Sequence, residues 1–540
     1  MKKRKKSKSI LLGLASTAAA GAGLAYLLKV KMEDDAFKGK VKQSGAAALF
    51  KTLEGINAVL PKLPRPSIEE YVSENFYEGH AEFRDTSVRG AKWKFGYARA
   101  SLTPDDYLLK DYYLGGFLNY PPNTVKSVLD DIAVRAVCLD DGSGRGAAVF
   151  AVIVCIGLSG TDVRSIRALL ADFAKANNIV SINISSSHCH SGIDTQGIWG
   201  VLPDILKNNV VQIKRGNFDN LISGRDPEFM DSLHKKTAGA ITQAFADQKA
   251  GKLMFKTFND LKYSHDKRKV GPKVVDENMT KLHFIPDDGS AETVGVLMAA
   301  HPTALDATMG ELSADYIYYI EEEVNKSGSN FIFFQGPQLA VGVDRSFVSE
   351  DTPGRGFQAY GREIGKYLLG ITVDEEEKIL PILNVRNAEV FVPAGNFFML
   401  TLLGAGIVNN QVVKTGRRTK DIMFVTEVGY VELGKTLRLA MMPGEFAPEM
   451  LLGGTSNSEE SCTGMNWDFP PMKKMLADGT DLIVIGLCND SIGYILPDND
   501  YGCIFDDGHY EEAVSAGAQT GSSLVGAFET LVDDCGRLNK

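Results

Sequence analysis

One continuous stretch, residues 147–184, constrains the fold of this chain more than any other part of it. It begins with Ala147–Leu158, a nearly all-apolar run of the kind that forms a strand buried on both faces. Val163–Ala176 then carries apolar residues at helical spacing, and Ile179–Ile184 is a second extended apolar run. A strand, a helix and a strand in this order predict a parallel pair of strands joined by a crossover helix.

The later part of the chain repeats these patterns. A helix is predicted from Ser313 to Asn325, and further strands are predicted at Thr293–Ala299, Phe331–Phe334, Arg438–Met441 and Asp481–Leu487. We therefore predict an α/β fold with a mixed, largely parallel central sheet flanked by helices. Because ligands of such sheets bind at the carboxyl ends of the strands, we expect an active site at those ends.

Two histidines follow the apolar run that ends at residue 184. The chain has only eight histidines, and His188 and His190 are separated by a single residue. Residues i and i+2 of a strand point to the same face, so both imidazoles can reach one point. Imidazole is a common zinc ligand, and its pKa suits proton transfer near neutral pH. The pair favours a metal-dependent hydrolase, with a structural hydrogen-bonding pair as the alternative.

Three other predicted strands end in groups of similar chemistry. His301 follows the run that starts at Thr293, and Pro302 next to it cannot donate to a ladder, so the strand should stop there. Glu445 follows a Pro-Gly turn after the strand at 438–441, and Tyr494 lies just beyond the strand at 481–487. Agreement among four strand ends predicts one shared site, although each residue taken alone is more typical of packing or of a turn.

These residues also carry a resemblance to a known family. The chain resembles the catalytic domain of the neutral/alkaline (non-lysosomal) ceramidases over roughly residues 93–515. The family has a Thr-His-Thr-His-Ser-Gly motif after a strand, a Pro-Gly-Glu-Phe motif, spaced tyrosines and a characteristic first strand. The matching segments here are Ser187–Gly192, Pro443–Phe446, Tyr494 with Tyr501 and Tyr510-Glu511, and Gly96–Pro104.

The resemblance implies a site and an activity. It implies one Zn²⁺ ion with the ligands His188, His301, Glu445 and Tyr494. It also implies that His190 is catalytic and faces the substrate, together with Tyr501 and Tyr510. The implied reaction is the hydrolysis of an amide bond in an N-acyl lipid, such as ceramide to fatty acid and sphingosine, by a metal-activated water. The implied partner is therefore a lipid-like amide substrate.

The sequence departs from the family pattern in three places. The family has a Gly-Asp-Val-Ser-Pro segment, where this chain has Gln335–Ala340 without a serine, so we assign no serine nucleophile. Ser191–Asp194 replaces a glycine-rich turn, and the residues after Tyr510 are too few for the immunoglobulin-like domain of the family, which needs ~100 residues. A substrate other than ceramide is therefore an open alternative.

Several alternatives stay open at this point. The same zinc hydrolase could act on a peptide, another amide or an ester, or the chain could be a non-catalytic exported envelope protein that keeps the fold for binding. The ligand set would also accept iron or manganese. A serine hydrolase is disfavoured because the nearest approach to its Gly-x-Ser-x-Gly motif, Gly157–Thr161, lacks the second glycine.

The amino terminus has the pattern of an export signal. Lys2–Lys8 is basic and precedes an uncharged stretch, Ile10–Leu28. We predict a signal peptide or signal anchor at 1–31, a stalk or linker at 32–92 broken by prolines, and a zinc hydrolase domain at 93–540. The predicted location is extracytoplasmic, either secreted or attached to the membrane through the amino-terminal segment.

Charge and cysteine content argue against a nucleic-acid partner and against a disulfide framework. The net charge of −10 argues against a nucleic-acid partner, which would require a basic face. The seven cysteines form no Cys-x-x-Cys pair, and their number is odd, so no disulfide framework is expected. A single pair such as Cys488 with Cys503 is left open.

Overall fold

The computed structural model describes residues 60–259, 264–305, 310–343, 356–418, 420–477, 479–503 and 508–539. Within these residues the fold has two large β-sheets. The strands of the first sheet are β1 (Trp93–Ser101), β2 (Ala133–Asp140), β3 (Ala147–Ile153), β4 (Ile179–Ser186), β5 (Lys249–Asn259), β6 (Asn278–Pro286), β7 (Thr293–Met298), β8 (Asn330–Gln335) and β9 (Glu377–Ile379).

The first sheet has the strand order β8-β7-β6-β5-β1-β2-β3-β4, and β9 pairs with β5. The sheet curls, so that β8 at one edge approaches β3 and β4 at the other. The predicted crossover pair is present, because β3 and β4 are parallel and α1 and α2, at Gly160–Leu169 and Ala171–Ala176, connect them.

The second sheet is smaller. Its strands are β10 (Leu383–Pro393), β11 (Val412–Lys414), β12 (Ile422–Leu433), β13 (Leu437–Met441) and β14 (Leu482–Ile485). The order is β10-β12-β13-β14, with β11 also paired to β12. Only β13 and β14 are parallel among the described ladders of this sheet.

Helices cover the outer faces of both sheets. Those that follow α2 are α3 (Leu202–Arg215), α4 (Pro227–Ala246), α5 (Tyr316–Asn325), α6 (Gly356–Gly370), α7 (Phe397–Gly404), α8 (Pro448–Leu452) and α9 (Thr520–Asp534). On the first sheet α4 packs against β1 and β2, and α5 packs against β8 and α6. On the second sheet α9 packs against β10 and β12.

The inner faces of the two sheets pack against each other. Phe95, Phe150 and Phe334 of the first sheet lie in one buried cluster with Val431 and Leu439 of the second. The molecule therefore has four layers, helix, sheet, sheet and helix, and its strands are covered on both faces.

The mixed α/β class is confirmed, but the expectation that the sheet is largely parallel is wrong. Of the eight ladders in the first sheet, two are parallel, β3 with β4 and β7 with β8. The continuous apolar runs suggested parallel strands because such strands are buried on both faces. Here a second sheet and a helical layer bury antiparallel strands in the same way.

A buried ion-pair network, which we call the α1 network, ties the two sheets together. Arg167 of α1 has no exposed side-chain surface, and its guanidinium donates to both carboxylate oxygens of Glu427 on β12, at 2.8 and 3.0 Å. Its Nε donates to the carbonyl oxygen of Ile182 on β4 at 2.9 Å. Arg164 pairs with Glu427 and with Glu389 on β10, so one helix fixes β4 relative to the second sheet.

Residues 60–92 form part of the folded unit, which corrects the predicted stalk for this part of the chain. Leu60 is buried, Ser67 bridges to Lys414 of β11, and Gly79 bridges to Arg386 of β10. The prolines of this segment break regular structure, but the backbone still bonds to the second sheet. Residues 32–59 and the predicted signal at 1–31 lie outside the described residues.

Two further features bear on the expectations about location and cysteines. Among the described helices, none is both long and apolar enough to cross a membrane.

All seven cysteines lie in described segments as free thiols, so the pairing of Cys488 with Cys503 does not occur here.

Candidate metal centre

His188 lies in a turn directly after β4. Its φ is 63°, a left-handed conformation that a residue with a side chain seldom adopts. Leu487 and Asn489, which follow β14, also have positive φ, and their backbone bonds to β4 through Ser186 N–H to Leu487 O and Asn489 N–H to Ile184 O. Unfavourable backbone geometry is therefore concentrated where the ends of β4 and β14 meet, which is typical of functional sites.

The other predicted ligands come from the ends of β7, β13 and β14. His301 follows β7 and forms a bridge with Gly342. Glu445 and Tyr494 are direct partners in a short parallel ladder, Glu445–Phe446 with Tyr494–Ile495. That ladder places a carboxylate beside a phenol, and both sheets contribute to one site.

The contacts at this site converge on one oxygen of Glu445. Nε2 of His188 lies 3.2 Å from Oε2 of Glu445, and Nε2 of His301 lies 2.9 Å from the same oxygen. Tyr494 donates its hydroxyl proton to Glu445 as well. His188, His301, Glu445 and Tyr494 are all buried. The structure therefore brings together the four residues predicted as metal ligands.

The hydrogen bonds of the two imidazoles determine which ring nitrogen faces Glu445. Nδ1 of His188 lies 2.7 Å from the carbonyl oxygen of Ile156, and Nδ1 of His301 lies 2.8 Å from that of Val341. A carbonyl oxygen only accepts, so each Nδ1 carries a proton and each Nε2 faces Glu445. Two ring nitrogens and a carboxylate then meet at one point.

Burial and mutual contact set the pKa values of His301 and Glu445. Burial lowers the pKa of His301 below its usual value, although Glu445 beside it acts in the opposite direction. Burial alone would raise the pKa of Glu445, but His188 and His301 outweigh it and hold that pKa at about 2. A buried carboxylate between two imidazole nitrogens is a donor set that a divalent metal would satisfy.

The donor set fits zinc. Two imidazole nitrogens, a carboxylate oxygen and a phenol oxygen are hard or borderline ligands, and the carbonyl partners of both Nδ1 atoms fix the rings as outer-shell hydrogen bonds do in metal sites. Iron or manganese would accept the same donors.

His190 lies beside the predicted ligands. Its ring centroid is 4.7 Å from that of His188 and 5.8 Å from that of His301, and one ligand atom of each ring lies within 4.8 Å of the others. Neither ring nitrogen of His190 has a hydrogen-bond partner although the residue is buried. Burial, with the nearby His188 and His301, lowers its pKa well below the usual range. His190 therefore has two uncommitted nitrogens for a metal or a substrate.

His188 and His190 are close for a reason other than strand alternation. Strand alternation predicted that His188 and His190 share a face, but β4 ends at Ser186, before either residue. The left-handed turn at His188 brings the rings together, and the backbone N–H of His190 donates to the carbonyl oxygen of Pro302 at 3.1 Å.

The two remaining tyrosines differ in position. Tyr510 is hydrogen-bonded to the hydroxyl of Tyr494, with ring centroids 6.0 Å apart, and 47% of its surface is exposed. It therefore connects the buried ligands with solvent, as a substrate-side donor should. Tyr501 instead donates its hydroxyl to the carbonyl oxygen of Glu512 at 3.1 Å, a contact that stabilises the local chain.

Two elements of the site were not identified from sequence. Phe117 packs edge-on against His190 at 4.9 Å between centroids, and the Cβ that any other residue would have at position 116 would overlap the His190 ring, so this position requires glycine. Lys267 reaches the loop that carries His301 through Thr303, 3.3 Å away. The Gly115-Gly116 pair was the one available signal, since glycine often marks a close backbone approach.

Ser159, the serine of the disfavoured hydrolase motif, has a structural role. It caps α1, accepting from the N–H of Asp162, and its hydroxyl lies 2.7 Å from the Asp162 carboxylate. His234 bonds to Asp162 rather than to the serine, so no activated serine is assembled there.

Comparison with known proteins is informative at the level of the fold. No protein-family model and no curated protein matches the sequence. Among solved structures, neutral ceramidase from Pseudomonas aeruginosa is similar, with a TM-score of 0.61 and 13% identity over 83% of this chain and 74% of that chain. A ceramidase complexed with C2 has a TM-score of 0.59 and 12% identity over 83% and 75% of the two chains. The resemblance inferred from the motifs is therefore confirmed as a shared fold.

Proposed function

We propose that this protein is a zinc-dependent hydrolase that cleaves the amide bond of an N-acyl lipid. The observation that carries the proposal is the convergence of Nε2 of His188, Nε2 of His301 and the Glu445 carboxylate, with Tyr494 completing the donor set. The ceramidase fold supports the choice of an N-acyl amide as substrate. The expected products of a ceramide-like substrate are a fatty acid and sphingosine.

Zinc bound here would lower the pKa of a water toward ~7 and polarise a carbonyl oxygen. The residues of the chain supply orientation and proton transfer. The reaction adds the elements of water across the C–N bond, so the carbonyl carbon gains a hydroxyl group and the nitrogen gains a proton as the bond breaks. Neutral His190, with both ring nitrogens uncommitted, is placed to take a proton from the attacking water and return it to the leaving amine.

Tyr510 supports the substrate side of this scheme. Its hydroxyl contacts Tyr494 while nearly half of the residue faces solvent, so it can form a hydrogen bond with a substrate that enters from outside. Glu445 has the opposite role, because its burial against two imidazoles leaves it committed to the metal. Tyr501 was also predicted on the substrate side, and that role is supported only by the motif.

We also propose that the protein is exported and meets its substrate at a membrane. The support is the basic and then apolar pattern of residues 1–31. Alternatives to the main proposal are the same chemistry on a peptide, another amide or an ester, and a non-catalytic exported protein with this fold.

The decisive experiment measures metal content and hydrolysis together. Protein purified without residues 1–31 is analysed for zinc, iron and manganese and incubated with a fluorescent N-acylsphingosine, with released fatty acid as the readout. We expect one equivalent of zinc, release of fatty acid, and loss of the activity in a chelator. Protein that binds no metal at this site contradicts the hydrolase, whereas metal-dependent cleavage of other amides without fatty acid release contradicts only the N-acyl lipid assignment.

A further inference from the structure

The turn at residues 105–109, between β1 and β2, presents two adjacent leucines to solvent. Leu108 is 73% exposed and Leu109 is 89% exposed, the two highest values among the large apolar side chains of the described residues. Single exposed apolar side chains are common, whereas apolar side chains that adjoin one another at a surface indicate a contact with another molecule.

The base of this turn is held by the rest of the fold. The hydroxyl of Tyr112 donates to the Asp106 carboxylate at 2.7 Å, and its buried ring packs edge-on against Phe229 of α4, with 6.0 Å between centroids. Lys110 pairs with Asp226, the residue that caps α4, at 2.6 Å. The two leucines therefore project from a turn whose flanking residues are fixed.

The segment that carries the leucines continues to the candidate metal centre. Leu114 forms a bridge with Ile193, and Phe117 packs against the ring of His190. One stretch of chain thus supplies both an exposed apolar turn and part of the wall around His190.

A second loop with exposed apolar residues lies beside the first. Phe218 and Ile222, in the loop between α3 and α4, are both exposed. This loop ends at Asp226, whose carboxylate contacts Lys110 of the first segment. The two loops therefore meet at the amino-terminal end of α4.

This meeting point lies at the same end of the first sheet as the candidate metal centre. Arg225 pairs with Asp162 at 2.7 Å, in the first turn of α1, and α1 follows the carboxyl end of β3. His188 follows the carboxyl end of β4, the parallel neighbour of β3. The exposed apolar residues and the metal centre thus share one face of the molecule.

The amino-terminal part of the described chain reaches the second loop. A Cβ atom at Gly406 would lie 2.6 Å from the side chain of Leu63 and 3.0 Å from that of Leu221, so both leucines pack against this glycine. Leu221 immediately precedes Ile222. Attachment to a membrane through the segment at 1–31 would therefore hold the domain by a point next to these loops.

We propose that Leu108 and Leu109, together with Phe218 and Ile222, insert into a lipid bilayer and hold the entrance of the site against it. The inference rests on the proposed hydrolysis of an N-acyl lipid at a membrane and specifies the surface that docks. A bilayer suits these residues because they project from two separate loops, and fluid acyl chains accommodate such uneven apolar tips. An N-acyl lipid would then reach His190 directly from the bilayer.

The first test measures contact with acyl chains. The full chain is reconstituted in phosphatidylcholine vesicles whose acyl chains carry bromine, which quenches tryptophan on close contact. Leu109→Trp should lose most of the fluorescence of the added residue relative to unbrominated vesicles. The control is Leu380→Trp, because Leu380 is exposed and contacts Gly434 in the turn before β13, at the opposite end of that strand from Glu445. This control should lose no more fluorescence than the natural protein.

The second test measures hydrolysis. Leu108→Ser combined with Leu109→Ser should lower the rate on a long-chain N-acylsphingosine in vesicles roughly tenfold, because less apolar surface is buried in the bilayer. The rate on N-hexanoylsphingosine, dissolved below its aggregation concentration, should not change. Leu380→Ser should alter neither rate. Equal unfolding midpoints of the serine variants and the natural protein show that the fold is intact.

The possible failures of these tests differ. Equal fluorescence of Leu109→Trp in brominated and unbrominated vesicles overturns the inference and leaves the proposed hydrolysis in place. A dimer in solution that the two serine substitutions dissociate would also overturn it, because a second copy of the chain would then cover these loops. Quenching of Leu109→Trp without hydrolysis of either substrate supports the docking surface and contradicts the proposed function alone.

Discussion

The α1 network and the candidate metal centre are both buried and polar, and they differ in how their groups are satisfied. In the α1 network each charged group faces an opposite charge, as Arg167 faces Glu427 with two hydrogen bonds. At the metal centre two imidazoles share one carboxylate oxygen, and His190 has no partner for either nitrogen. The first arrangement pairs its charges within the protein, whereas the second leaves His190 available to a ligand.

The unpaired nitrogens of His190 distinguish this site from the α1 network, although both are buried. Buried polar atoms are nearly always paired, so groups left unpaired beside a strained backbone indicate a site. The α1 network contributes by positioning, because it holds β4, which leads to His188, against the sheet that leads to Glu445. Substitutions in the α1 network should therefore change mainly the free energy of unfolding, and substitutions at the candidate metal centre should change mainly zinc content and hydrolysis.

The largest expected effect on stability comes from breaking the α1 network. Glu427→Gln leaves Arg167 buried without a balancing charge, so the free energy of unfolding should fall by about 3–5 kcal/mol. Urea unfolding followed by circular dichroism measures the change. The control is Asp231→Asn, which breaks the exposed pair of Asp231 with Lys235 and should change the free energy by less than about 1 kcal/mol. If the two substitutions lowered the free energy of unfolding equally, the buried network would be no more stabilising than the exposed pair, and the prediction would be wrong.

The second prediction breaks the metal centre. His301→Ala removes a predicted ligand, so bound zinc should be lost and hydrolysis should fall by at least about a hundredfold. The free energy of unfolding of the metal-free protein should fall by about 1–3 kcal/mol, since the contacts of His301 with Val341 and with the Glu445 carboxylate are both lost. Elemental analysis, an activity assay and urea unfolding give the three values. Full activity in this variant would contradict the ligand assignment.

The smallest expected effect is a pH-dependent change in the free energy of unfolding that depends on another paired carboxyl, that of Glu321. Burial raises the pKa of this carboxyl, but Arg135 and Arg99 outweigh burial and hold the pKa below the usual 4.5. Because the pKa of Glu321 is lower in the folded state than in the unfolded state, its ionised carboxylate stabilises the protein above pH 4.5. This stabilisation is lost as the pH falls through the folded-state pKa. The difference in unfolding free energy between the natural protein and Glu321→Gln should therefore shrink from about pH 7 to about pH 3.

A neighbouring residue provides the control for this titration. Glu322 pairs with Arg362 at a partly exposed position, and Glu322→Gln should lower the free energy of unfolding at pH 7 by less than about 1 kcal/mol. A difference for Glu321→Gln that grows in acid would show that the sign of the linkage is wrong.

Much of the candidate site could be predicted from the sequence because its residues follow strand ends. His188, His301, Glu445 and Tyr494 each come after an apolar run, and the structure brings all four together. Lys267 could not be found in this way, since its approach depends on a loop contact with Gly342, a residue remote in the sequence. Phe117 was missed for the same reason.

The fold was predicted less completely. The apolar runs identified strands correctly but could not give their direction, because burial on both faces is the same for parallel and antiparallel neighbours. The packing of residues 60–92 was also missed, since prolines and charges are as typical of a segment bonded along a sheet as of a linker. Local patterns establish which residues form strands, whereas pairing depends on contacts between distant parts of the chain.

The origin of the site in both sheets has a consequence for the order of folding. His301 and Glu445 touch although 144 positions separate them in the chain, and β4 and β7 lie far apart in the strand order of a curled sheet. Contacts between such distant residues form late, because closing long loops is entropically costly. During synthesis the histidines emerge well before Glu445 and Tyr494, so a nascent chain holds no complete metal site. Metal uptake would thus report that the last sheet has docked.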